Sequence, residues 1–102
     1  MYLIQIFLPL RDNAGKRIAR ARFDSLSAEL TTRFGGLTRY SQAPATGLWK
    51  KSDGAAQRDD IIVYEVMSSR LQRSWWRSTR LRLQREFRQQ ELLIRALPMS
   101  RL

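Results

Sequence analysis

An α+β sandwich is predicted for this chain by the order in which its segments change character. Apolar runs at Tyr2–Leu8, Leu37–Tyr40, Asp60–Met67 and Leu92–Leu97 have the length and residue types of strands. Stretches near Arg17–Phe34 and from Ser68 to Gln89 repeat apolar residues at helical spacing. The order β-α-β-β-α-β is the split βαβ plan of the ferredoxin-like fold, a four-stranded antiparallel sheet with two helices on one face. In that plan the strands lie in the order four, one, three, two. A length of 102 residues leaves room for one domain, 1–102, with one modest core.

Each element has a local reason. Pro9 closes the first strand by removing an amide donor. The turn Arg11-Asp12-Asn13-Ala14-Gly15 follows, with Asn and Gly supplying a permissive backbone. Phe23, Leu26, Leu30 and Phe34 then share one helix face, and Gly35-Gly36 stops that helix. The second strand is interrupted at Ala43-Pro44 and resumes at Gly47-Leu48-Trp49-Lys50, a pattern that belongs at a sheet edge. Ser52–Asp59 reads as a polar and mobile hairpin loop. Asp60–Met67 is the strongest β run of the chain. Ser68 or Ser69 is the expected N-cap of the second helix, whose apolar face centres on Trp76, Leu83 and Phe87. Trp75 sits on its shoulder. Pro98 closes the last strand.

Composition excludes more chemistry than it suggests. With no Cys there is no disulfide, thiolate nucleophile or iron–sulfur ligand, and with no His the usual general base and zinc ligand are missing. No cofactor and no metal site are expected. Asp59-Asp60 alone is a poor cation site for want of further oxygen ligands. Gly35-Gly36 lacks the Lys and Ser/Thr of a phosphate loop. No apolar run is long enough for a membrane span, and the start of the chain has no signal-peptide pattern, so a cytoplasmic protein is expected. The formal charge is +10. Only Lys16, Lys50 and Lys51 are lysine, so the basic character is arginine, which GC-rich coding also favours without any functional demand.

Phe34-Gly35-Gly36-Leu37-Thr38, Gly47-Leu48-Trp49 and Asp60–Val66 together resemble a group of small bacterial proteins of ferredoxin-like build with no assigned activity. Trp75-Trp76-Arg77 and Gln90–Arg95 fit the same pattern. The likeness spans nearly the whole chain, implies the fold and a dimer, and transfers no catalytic residue. More distantly, the layout is similar to the dimeric α+β barrel proteins, some of which are cofactor-free oxygenases or small-ligand binders. None of their site motifs stands here.

Alternation along the strands gives the sharpest site expectation. Ile4, Ile6 and Leu8 face one side of the first strand, and Leu3, Gln5 and Phe7 the other. Ile62, Tyr64 and Val66 oppose Ile61, Val63, Glu65 and Met67 on the third. Both sides are apolar, whereas a sheet wetted on one face alternates more cleanly. The second face is therefore expected to be covered by a second copy of the chain in a two-fold dimer. Gln5, Glu65 and Arg95 are the polar exceptions on that face and are expected to form a row across strands four, one and three. The preferred reading is a satisfied polar row that fixes register or dimer orientation. The alternative is the polar end of a ligand pocket formed by Gln5, Glu65 and Arg95, with Tyr40 or Trp49 as an aromatic wall.

The second helix offers another candidate. Between Arg70 and Arg88 the only acid is Glu86. At helical spacing Arg70, Arg73, Arg77, Arg80 and Arg88 fall within roughly 80° of arc. Such a strip suits an anion or a nucleic-acid backbone. It equally suits a solvated face whose arginine stems cover apolar surface, with Glu29, Asp59 and Asp60 as available partners. Nucleic acid is the less favoured reading. An RNA-binding sheet is weaker still, since it needs exposed aromatics on the central strands. The expectation is a non-catalytic interaction module forming a homodimer. A small-ligand binder or cofactor-free enzyme, and a nucleic-acid binder, are the alternatives. Whether the protein is an enzyme stays open at this point.

Overall fold

The computed structural model describes the backbone of residues 1–50 and 56–102 and the side chains of residues 1–40 and 60–102. The elements run β1 Tyr2–Pro9, α1 Arg20–Phe34, β2 Thr38–Lys50, β3 Ala56–Ser68, α2 Arg73–Glu86 and β4 Ile94–Pro98. The sheet order is β2-β3-β1-β4 with every neighbouring pair antiparallel, which is the expected arrangement. Both helices lie on one face of the sheet, and the core fills the space between the two layers.

The core is built from the alternate residues that the sequence assigns to that face. Ile4, Ile6 and Leu8 from β1, with Tyr64 and Val66 from β3, are 2% exposed or less. They meet Phe23, Leu26 and Leu30 of α1 and Trp76 and Leu83 of α2. Phe87 closes the core at the end of α2, its ring edge-on to Phe23 at 5.2 Å. The Tyr64 hydroxyl is buried without penalty: it donates to the Phe23 carbonyl at 3.4 Å and lies 3.2 Å from Ser27 Oγ. Trp76 stacks on Phe34 at 5.4 Å, and Trp75 stands edge-on to both rings. Trp75 is half-buried and carries the Arg33 guanidinium 3.9 Å above its ring centre.

Several boundaries differ from the sequence reading, each for a local reason. Helix α1 starts at Arg20 rather than Arg17, because Arg17 bridges back to Arg11 and extends the turn. That turn is held by Asp12, whose Oδ1 accepts the amides of Ala14 and Lys16 at 2.9 Å each. Neither Ser68 nor Ser69 caps α2. Ser68 ends β3, its hydroxyl donates to the Arg70 carbonyl at 2.6 Å in a local turn, and Gln72 takes the cap position without a side-chain bond. At the other end α2 stops at Glu86 instead of Gln89. Arg88 adopts φ 51°, and the amides of Arg88 and Gln89 bond back to the carbonyls of Arg85 and Gln84. This is a Schellman ending with arginine where glycine is usual. Helix α1 closes as expected, with Gly35 at φ 77° and its amide on the Thr31 carbonyl.

The remaining corrections concern strands. β2 is continuous from Thr38 to Lys50 at the sheet edge, and a register shift between Tyr40 and Ala45 accommodates the stretch that contains Pro44. β3 begins at Ala56, so the polar loop is shorter than Ser52–Asp59, and what was expected of residues 51–55 lies outside the described residues. β4 begins at Ile94. Leu92 turns into the core, with its amide held by Gln84 Oε1 at 3.1 Å.

Candidate functional site on the open sheet face

The helix-free face presents three rows running across the strands. Antiparallel pairing sets Leu3 opposite Met67 and Leu97, Gln5 opposite Glu65 and Arg95, and Phe7 opposite Val63. Tyr40 of β2 extends the last row by pairing with Val63. One polar row thus lies between two apolar rows. Of these residues Met67 is 45% exposed, Leu97 40% and Tyr40 49%, which is unusual for large apolar side chains gathered on one surface.

The polar row is a connected chain of hydrogen bonds. Arg95 Nε donates to Gln5 Oε1 at 2.7 Å. Gln5 Nε2 donates to Glu65 Oε2 at 2.6 Å, and the Tyr40 hydroxyl donates to Glu65 Oε1 at 3.0 Å. All four strands contribute one member. The Gln5 amide orientation follows from its neighbours, since its oxygen must meet the arginine and its nitrogen the carboxylate. The hydrogen bond to Glu65, with the carboxylate charge beside it, raises the Tyr40 pKa above the usual phenol value. Arg95 also lies over the Phe7 ring, 4.8 Å from its centre. The row expected from the sequence is therefore assembled, with Tyr40 as a hydrogen-bonding member rather than only an aromatic wall. The Trp49 side chain lies outside the described residues.

The arginine strip is not assembled as expected. Arg70 precedes α2 and Arg88 follows it in a left-handed conformation, so neither shares the helical arc of Arg73, Arg77 and Arg80. Arg73 and Arg77 are exposed and make no ion pair among the described residues, while Arg80 donates to Gln84 Oε1 at 3.2 Å. Arg82, which the strip omitted, does the structural work. It binds both Glu29 oxygens at 2.6 and 2.8 Å and Glu86 at 3.3 Å, tying α2 to α1. Its hydrogen bond to Glu29 raises the Arg82 pKa above the ordinary guanidinium value. Glu29 was among the acids available to this helix in the sequence, so the pairing was legible even though its arginine was not singled out.

A groove of about 470 Å³ separates the Asp12–Ala14 turn from the end of α2 and is lined by Asn13, Gln84, Arg85 and Arg88 among others. No member of the polar row reaches it. Among the described residues no group of carboxylates is placed to hold a metal ion. No helix among the described residues is long and apolar enough to cross a membrane.

The chain matches no known family model, no curated protein and no solved structure. The functional reading accordingly rests on geometry.

Proposed function

We propose that the chain is a non-catalytic interaction module that pairs with a second copy of itself through the open sheet face. The observation that carries this reading is the surface itself: apolar rows on either side of a hydrogen-bonded polar row, with no element among the described residues laid over them. Burying such rows removes apolar area from water at about 25 cal/mol per Å² before the entropy of association is subtracted. Facing sheets pack about 10 Å apart, a gap that side chains of this size fill. The likeness to small bacterial proteins of the same build, and a cytoplasmic setting, belong to this proposal.

Sedimentation velocity tests it. The expected result is a species of twice the 12.0 kDa chain mass, converted to monomer by Phe7→Asp with an unchanged far-ultraviolet spectrum. A wild-type monomer at high micromolar concentration overturns the reading.

A second reading has one observation in its favour, the exposed Arg73 and Arg77, which make no ion pair among the described residues. It makes α2 a contact surface for a nucleic-acid backbone. Its mark would be affinity for duplex DNA or RNA that falls steeply with salt and is lost in the Arg73/Arg77/Arg80 triple alanine variant. Binding that ignores salt, or survives that variant, removes it.

A further inference from the structure

The polar row has a direction, and that direction specifies how two copies meet. Across the sheet it reads Arg95 on β4, Gln5 on β1 and Glu65 on β3, a cation, a neutral amide and an anion on consecutive strands. Its charged ends are not in contact with each other, because Gln5 stands between them and bonds to both. Each end keeps bonding capacity. Arg95 uses only Nε, and its terminal nitrogens have no hydrogen bond among the described residues. From the described residues Glu65 accepts one bond at each oxygen, and a carboxylate offers about four acceptor positions.

Face-to-face pairing of two identical sheets places the two-fold axis in the plane between them. An axis along the polar row lays β4 on β4, setting Arg95 against Arg95 and Glu65 against Glu65. A diagonal axis lets the two rows touch only at their crossing and leaves each charge against an apolar row, where a desolvated charge is costly. An axis parallel to the strands reverses the strand order and inverts the row. Centred on β1, it sets Gln5 on its own copy and brings each Arg95 over the other copy's Glu65.

We infer that the protein dimerises about an axis parallel to β1, with two symmetric Arg95–Glu65 pairs formed between copies on either side of a central Gln5 pair. This rests on the sheet-face dimer proposed above and adds its orientation and its selectivity. The contact is isologous, each residue meeting the other member of its pair across the axis. The row then discriminates as well as binds, since a facing sheet without the inverted charge order leaves Arg95 and Glu65 desolvated and unmatched. In the separate chain the same row keeps both charges aligned through Gln5, so little side-chain freedom is lost on docking.

Charge exchange tests the orientation separately from dimerisation. R95E and E65R are made singly, and self-association is measured by sedimentation alone and after mixing. Each variant by itself opposes like charges at both pairs, and its self-association is expected to weaken by about tenfold or more. Mixed together, the two satisfy both pairs, because the Glu at 95 of one faces the Arg at 65 of the other. A heterodimer is therefore expected, detected by native mass spectrometry with one chain isotope-labelled. Its formation also establishes that both variants fold. The doubly exchanged R95E/E65R chain is expected to regain self-association. If the wild type dimerises but the mixed variants gain nothing over either alone, the orientation is wrong and the dimer stands. If R95E instead pairs with the wild type through its unchanged Arg95, the axis along the row is the correct one. A monomeric wild type removes the dimer reading and this inference together.

Discussion

Two neighbouring residues of β1, Ile6 and Phe7, belong to two different surfaces. Ile6 lies on the helix-covered face, wholly buried among Tyr64, Ile94 and the core of both helices. Phe7 lies on the other face, partly exposed beneath the Arg95 guanidinium. The covered face has a largely apolar interior, in which the Tyr64 hydroxyl is satisfied locally, Thr79 is buried, and the Trp76 Nε1 has no hydrogen-bond partner among the described residues. The open face alternates apolar and polar rows, and its polar groups satisfy one another across strands that are far apart in sequence. The first pattern holds a fold together. The second is the pattern on which the proposed pairing rests.

The largest expected effect breaks the covered face. Ile6→Ala leaves a cavity in a fully buried site and is expected to cost about 2–5 kcal/mol in urea unfolding, at any protein concentration. Phe7→Ala is expected to cost less in dilute chain, with a penalty that grows as protein concentration rises, because in the proposed pairing it weakens a dimer linked to folding. A penalty that does not change with concentration would show that the open face contributes to the single chain only. Next comes Glu65→Ala, which strands the Gln5 amide and the Tyr40 hydroxyl. About 1–3 kcal/mol is expected by the same measurement, and a value near zero would mean that the row is cosmetic. Arg95→Ala should change the stability of the separate chain by no more than about 0.5 kcal/mol, since the group is exposed there.

The smallest effect is a titration. The neutral Tyr40 hydroxyl donates to Glu65, so the folded-state pKa lies above the ordinary 10.0. The contribution of that bond is present below the unfolded pKa and is lost as pH rises through the higher folded value. Absorbance at alkaline pH, with Tyr40→Phe subtracted to isolate this phenol, should show a late transition that Glu65→Gln returns toward the ordinary range. A Tyr40 transition at the ordinary value would detach it from the row.

Much of this arrangement was legible in the sequence because a strand has a period of two. Once the β-α-β-β-α-β order sets β1 between β3 and β4, turning Ile6, Tyr64 and Ile94 into the core leaves Gln5, Glu65 and Arg95 on the other face, as expected. Tyr40 joined them less predictably. It pairs with Val63 and reaches diagonally to Glu65, a contact that depends on where β2 slips register. The helix ends were harder to read because their signals are absent or misleading. Ser68 looks like a cap and instead closes a turn on Arg70, while Arg88 takes a left-handed conformation that nothing in its side chain announces. The arginine strip failed for the same reason, since helical phase carries no meaning beyond the last helical residue. Arg82 was the informative arginine. Its value lies in facing Glu29 on α1, a relation between helices that spacing along α2 alone does not contain.

The two borders of the sheet are unlike its open face. β4 is only five residues long and ends at Pro98, which offers no amide to a stranger, and the pairing register of β2 breaks after Tyr40. Lateral growth, one sheet adding to the next, meets a short border at β4 and a border interrupted by a register shift at β2. In the proposed pairing, association through the flat of the sheet terminates itself once two copies have met. The face-to-face contact proposed here gives a finite pair rather than a fibre.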